Sequence, residues 1–377
     1  AVTFSNTGTV ALGSNGGSQT YAGGITATAP SASTLKGTIN TTNAPMSFGP
    51  VTLGANTTLN TNAASNTATI SLGAVTGSSY NLSLTTAQAV SGTDVTGTSF
   101  SGTGNLILQN IGGTASFTGG ITATDFTVAS TVNNVSLTGN GGTISNAVTF
   151  NNAGSLVLGS AGNSQTYSAG ITVTAPTSLT ARGTLVLGGT STLGDANTAI
   201  NLASASTLSA LTGGVISVGG DIQSTNVNLT VTGAGDTNIP TIIALGTGTL
   251  TKSGSGTLTL SGSNTYTGTT TVSSGTLSLG ASDIISNSSA LVVNGGTFAM
   301  GANSDTVAAV SFGANGGSIT SSTGVLTGSG YTFNNTTTAT VSAILAGAVN
   351  LEQVGTGTTT LSAINAHTGT TTLTGGV

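Results

Sequence analysis

The stretch Ala1–Ile39, AVTFSNTGTVALGSNGGSQTYAGGITATAPSASTLKGTI, returns without a gap at Ala147–Leu185, AVTFNNAGSLVLGSAGNSQTYSAGITVTAPTSLTARGTL. Of the 39 aligned positions 23 are identical, and the exchanges are mild: Val10 to Leu156, Ala27 to Val173, Lys36 to Arg182. A second ungapped pair lies further on, Leu250–Thr276 (LTKSGSGTLTLSGSNTYTGTTTVSSGT) against Leu351–Val377 (LEQVGTGTTTLSAINAHTGTTTLTGGV). Self-similarity on this scale marks a stacked array, in which each unit buries its apolar face only against its neighbours. It predicts an elongated scaffold and not a pocket-bearing enzyme.

Composition narrows the classes. The chain is 3% charged, with three cations, eight carboxylates and one histidine among 377 residues, where an average soluble domain is about one quarter charged. Mean hydropathy of +0.32 argues against disorder, which needs low hydrophobicity and high net charge. Glycine at 59 residues with five prolines and no triplet register excludes collagen. Three cations cannot neutralise a phosphate backbone, so nucleic acid is excluded as a partner. Zero cysteine removes disulfides, haem attachment and thiolate metal sites. No apolar run reaches the roughly 18 residues a membrane span needs, and 4% aromatic without tryptophan leaves no girdle for a porin-like barrel. The chain opens inside a strand-like AVTF and stops in mid-repeat, which is expected of an exported product whose leader has been removed, or of a fragment.

The local pattern has period two. Runs such as Val227–Thr232 and Thr257–Leu260 alternate apolar residues with Thr or Asn, and Leu156-Val157-Leu158 is a short apolar run, as strands show. Gly-Gly, Asn-Gly and Ser-Gly stand between them, residues that turn a chain at positive φ with little strain. The motif Ile-Thr-Ala/Val-Thr at Ile25, Ile121 and Ile171 has gaps of 96 and 50, and the long repeats are offset by 146 and 101. Taken as whole turns, these distances predict a coil of about 24–25 residues. That makes about 15 coils in one solenoid over residues 1–377, some 70 Å long at ~4.8 Å per strand. Tyr21, Phe117 and Tyr167 each stand four residues before the Ile of that motif, and are expected on one ladder.

The segment LTKSGSGTLTLSGSNTYTGTTTVSSGTLSLG, Leu250–Gly280, closely resembles the autotransporter-associated β-strand repeat, and Leu351–Val377 resembles a weaker copy. The remainder is similar to the looser repeats of large passenger and filamentous-haemagglutinin-like proteins. This resemblance implies an all-β, right-handed parallel β-helix, exported by a Gram-negative-type bacterium, displayed on the cell surface and often adhesive.

Catalytic and binding candidates are few. The acids are Asp94, Asp125, Asp195, Asp221, Asp236, Asp283, Asp305 and Glu352. With the expected coil, Asp195/Asp221 and Asp283/Asp305 fall one turn apart, the arrangement an acid–base pair on a polysaccharide-cleaving β-helix requires. Neither pair has a cation nearby in sequence, and solvated corner carboxylates account for them. Gly233-Ala-Gly-Asp236 is a single imperfect echo of a calcium-binding nonapeptide. His367 is the sole histidine and aligns with Tyr266, which reads as a ladder residue. Lys36 and Arg182 occupy equivalent places, either as carbonyl caps or as contacts to a neighbouring subunit. Thr-x-Thr pairs (Thr26/Thr28, Thr122/Thr124, Thr172/Thr174, Thr257/Thr259, Thr269/Thr271, Thr370/Thr372) could order water and bind ice if ranked on a flat face, though their sequence spacing is irregular.

The expectation is therefore a non-enzymatic extracellular β-solenoid with no catalytic, cofactor or metal site. It serves as a fibre subunit or adhesin stalk and polymerises end to end through open strand edges. The alternatives are an ice- or glycan-binding β-solenoid adhesin and, behind them, a polysaccharide-cleaving enzyme.

Overall fold

A computed structural model describes residues 1–65, 67–88 and 92–376; Val377, the last residue of the second repeat pair, lies outside them. The described residues form strands and turns without a helix, and the strands pair in parallel. Alternation is the cause. In Ser178–Leu187, and on either side of Gln109-Asn110 in Leu106–Phe117, every second residue is buried, so each strand gives one face to the interior and one to solvent. The fold is a β-solenoid of about 17 turns, divided into two compact units, Ala1–Gly189 and Thr190–Val377.

Unit 1 winds around three faces. On the first, Val2, Ile25, Met46, Ile70, Val95, Ala115, Val135, Leu156 and Leu179 stack in register. The second begins Val10, Ser33, Val51, Val75, Phe100, Ile121. The third begins Ser18, Thr38, Thr58, Ser83, Ile107, Thr127. Steps on the first face run from 20 to 25 residues, about 22 on average. In unit 2, Leu229, Leu250, Thr270, Leu291, Val310, Tyr331, Leu351 and Thr371 stack with steps of 19–21.

The turns are shorter than the 24–25 residues expected, for a geometric reason. Val2 lies on the first face, but its repeat equivalent Val148 pairs with Ile171 on the third. Likewise Val10 is on the second face and Leu156 on the first. The offset of 146 is therefore about six and two-thirds turns, and the gaps of 96 and 50 are about four and one-third and two and one-third. Only the offset of 101 is a whole number, five turns of about 20, because Leu250 and Leu351 share one column. The expected aromatic ladder fails for the same reason. Phe117 pairs with Leu137 on the first face, Tyr167 with Ile144 on the second, and Tyr21 follows the third-face strand Ser18–Thr20. Instead Phe126, Phe150 and Tyr167 meet edge to face, with centroids 6.0 and 6.3 Å apart.

Corners explain which residues the two long repeats keep. Gly13 and Gly159 have φ of +83° and +79° and lie against the carbonyls of Lys36 and Arg182, where a Cβ has no room. Gly16 and Gly162 share φ of +69° and +75° but face open space. Gly162→Ala is therefore expected to cost about 1 kcal/mol through backbone strain alone. Gly162→Asn is expected to cost less, since Asn tolerates the left-handed region; urea midpoints of the two variants check the order.

Candidate functional site

Five of the acids, Asp94, Asp195, Asp221, Asp236 and Asp305, act as backbone acceptors, whereas Asp125 takes the side-chain amide of Asn146 at 2.7 Å and Glu352 lies within the strand Leu351–Gln353. An Asn side-chain oxygen commonly takes an N–H from the next turn: Asn226 from Thr247 at 2.9 Å, Asn228 from Thr249 at 3.0 Å, Asn294 from Asn315 at 2.9 Å. Asp221 takes the N–H of Ile242 at 3.0 Å and Asp236 that of Thr257 at 2.8 Å. Asp195 closes its own turn on the N–H groups of Asn197 and Thr198 at 2.8 and 2.9 Å. Asp221 and Asp236 carry the turn-to-turn ladder round corners, a task an amide does equally well.

Asp195 and Asp221 do line one open groove of about 400 Å³, with Asn197, Gln223 and Thr241. The sequence reading brings them together correctly, yet one oxygen of each is committed to backbone and no cation lines the groove. The second pair diverges. Asp305 is buried and takes the N–H groups of Ile284 and Ile285, both at 3.0 Å, on Oδ2, while Oδ1 is buried without a partner. Burial, with a lesser push from Asp283, raises its pKa to about 6. Asp94 is likewise buried, accepts the N–H of Gly113 at 2.8 Å, and is raised by desolvation. An acid facing the interior cannot reach a glycan.

His367 stands as its alignment implies. Tyr266 Oη bonds Thr270 Oγ1 at 2.7 Å, and His367 Nε2 bonds Thr371 Oγ1 at 3.1 Å, the same pairing four residues on. The His367 ring lies edge-on to Tyr331, centroids 6.4 Å apart. Lys36 and Arg182 are both half-buried. Among the described residues no group of three His, Cys, Asp or Glu side chains could hold a metal, and no helix is long and apolar enough to cross a membrane.

One pair escaped the sequence reading. Lys252 is 2% exposed, and its Nζ donates to the carbonyls of Ser253, Gly254 and Ser274 at 2.7, 2.8 and 3.3 Å. At the aligned position Gln353 is also buried, and its Nε2 donates to the Gly355 carbonyl at 2.8 Å. Each turns inward to cap the glycine corner that follows it. The available signal was a long polar residue on the apolar side of the alternation in both Leu-Thr-Lys and Leu-Glu-Gln.

The family model described as the passenger-associated-transport-repeat matches residues 250–279 and 351–377. The chain carries two passenger-associated-transport repeats. They bracket five turns of one column, and their common features are those just described: the inward Lys or Gln cap and the Tyr or His ring bonded to a Thr. The repeats span 57 of the 377 residues (30 and 27) and support an autotransporter-associated β-strand repeat in that part of the chain. No curated protein and no solved structure matches it significantly.

Proposed function

We propose that the chain is an exported, non-enzymatic structural solenoid that serves as a cell-surface stalk of the adhesin or fibre type. The observation that carries this is the placement of both passenger repeats as regular rungs of a parallel solenoid. An autotransporter passenger repeat in such a fold fits an extracellular structural domain. The acids support the reading, because five of them serve backbone groups. The low content of charged residues, 3%, supports it too: a framework held by ladder hydrogen bonds works across the wide range of salt found outside a cell.

Intact producing cells should be labelled by antibody against residues 190–377, and surface protease should remove that label slowly. Labelling only after permeabilisation would sink the reading. Assembly through strand edges is part of the proposal, since the edge of a parallel stack is completed by a further strand of any origin. Concentrated protein is expected to form end-to-end filaments by electron microscopy; monodisperse particles at every concentration would count against assembly.

A further inference from the structure

One face of unit 2 is a two-file array of hydroxyls that the sequence spacing conceals. Thr257, Thr276, Thr297, Ser318, Thr340 and Thr360 stack in register on six successive turns. Two residues further along stand Thr259, Ser278, Ala299 and Thr320, in register within their strands, and Ser342 and Ser362, each one residue past its strand's end. Eleven of these twelve solvent-facing positions are Thr or Ser, the exception is Ala299, and none is charged. Between the files Leu258, Leu277, Phe298, Ile319 and Val341 point inward and are fully buried, which backs the face with a packed core.

Four hydroxyls bond within the protein: Ser318 to Thr340 at 2.8 Å, Ser342 to the Ser321 carbonyl and Ser362 to the Val341 carbonyl. The other seven, Thr257, Thr259, Thr276, Ser278, Thr297, Thr320 and Thr360, make no side-chain hydrogen bond within the described protein. Rungs repeat at ~4.8 Å and the files lie ~6.6 Å apart. The face thus holds donors and acceptors at fixed lattice points, with Thr methyls between them held stiff at χ1.

We propose that this face binds ice. Its occupant must be neutral, because the array offers nothing to an ion. It must be periodic, as the array is, and satisfied by groups that both donate and accept. A polysaccharide meets the first conditions but presents apolar sugar faces that aromatic rings cover, and this array has no ring. Water ordered on the hydroxyls and joined to a growing crystal meets all of them. The neighbouring ladder Thr207, Thr230, Thr251, Thr271 breaks at Val292 and is two rungs shorter.

The test is partition of the purified chain into a slowly grown ice hemisphere, together with ice recrystallisation at micromolar protein. Wild type is expected in the ice and to suppress recrystallisation. Thr297→Lys, in the first file, and Thr320→Lys, in the second, should each weaken suppression at least tenfold with an unchanged circular dichroism spectrum. Thr251→Lys, on the neighbouring face, should leave it intact. Exclusion of wild type from ice overturns the proposal, as does an equal loss in Thr251→Lys. Retention on crystalline cellulose or chitin without partition into ice would also overturn it, assigning the face to a neutral polysaccharide. If one lysine variant fails to fold, the other decides.

Discussion

Lys252→Met is expected to lower the unfolding free energy by about 3–5 kcal/mol, whereas Lys252→Gln lowers it by less than about 1.5 kcal/mol. Methionine refills the volume of the stem but takes the Lys252 donor away from the part-buried carbonyls of Ser253 and Gly254, and each such group costs ~1–3 kcal/mol. Glutamine keeps the donor, and Gln353 already does so at the equivalent corner. Burial pulls the Lys252 pKa down from 10.5 to about 8, partly opposed by the charge of Asp236. The unfolded chain therefore binds more protons than the folded one between those values, so stability rises with pH from about 8 to 10.5. Urea midpoints across that range check both points; Lys252→Gln should lack the rise, and a Met variant as stable as wild type would refute the capping role.

Asp305→Asn is expected to flatten an acid-side slope. The folded pKa is raised from 3.8 to about 6, chiefly by burial, against the pull of the Ile284 and Ile285 N–H groups. The folded state thus holds the proton more tightly, and the contribution is at its best below pH 3.8 and lost as pH climbs through 6. Those limits bound the change at about 3 kcal/mol, at ~1.4 kcal/mol per pH unit. The amide keeps an oxygen for the two N–H groups and carries no charge. The variant should accordingly gain stability at pH 7 and change little at pH 4. Thermal melts at the two values decide it, and a wild-type midpoint that does not fall between them would refute the shift.

Much of the architecture was legible. Alternation gave strands, Gly-rich breaks gave corners, and the aligned Tyr266 and His367 gave a shared role that the Thr270 and Thr371 bonds bear out. Turn length was not legible, because copies such as Val2 and Val148 were read as lying on one face when they lie on two. The hydroxyl array was hidden by the same irregularity: its rungs are 19, 21, 21, 22 and 20 residues apart, so no fixed period finds it. Asp305 and Lys252 escaped as interior groups because burial of a charge depends on where each corner turns, which residue type alone does not fix.

The displacement of Val148 by one face relative to Val2 bears on how such chains grow. A duplicated segment need not equal a whole circuit to be accommodated; it need only end where a side begins, since all three sides offer the same parallel edge. Recombination can therefore splice in lengths as short as a third of a circuit, and loss or gain of a few residues at a bend leaves the stack above it undisturbed. Lengthening by such small quanta lets a lineage adjust the number of rungs almost continuously.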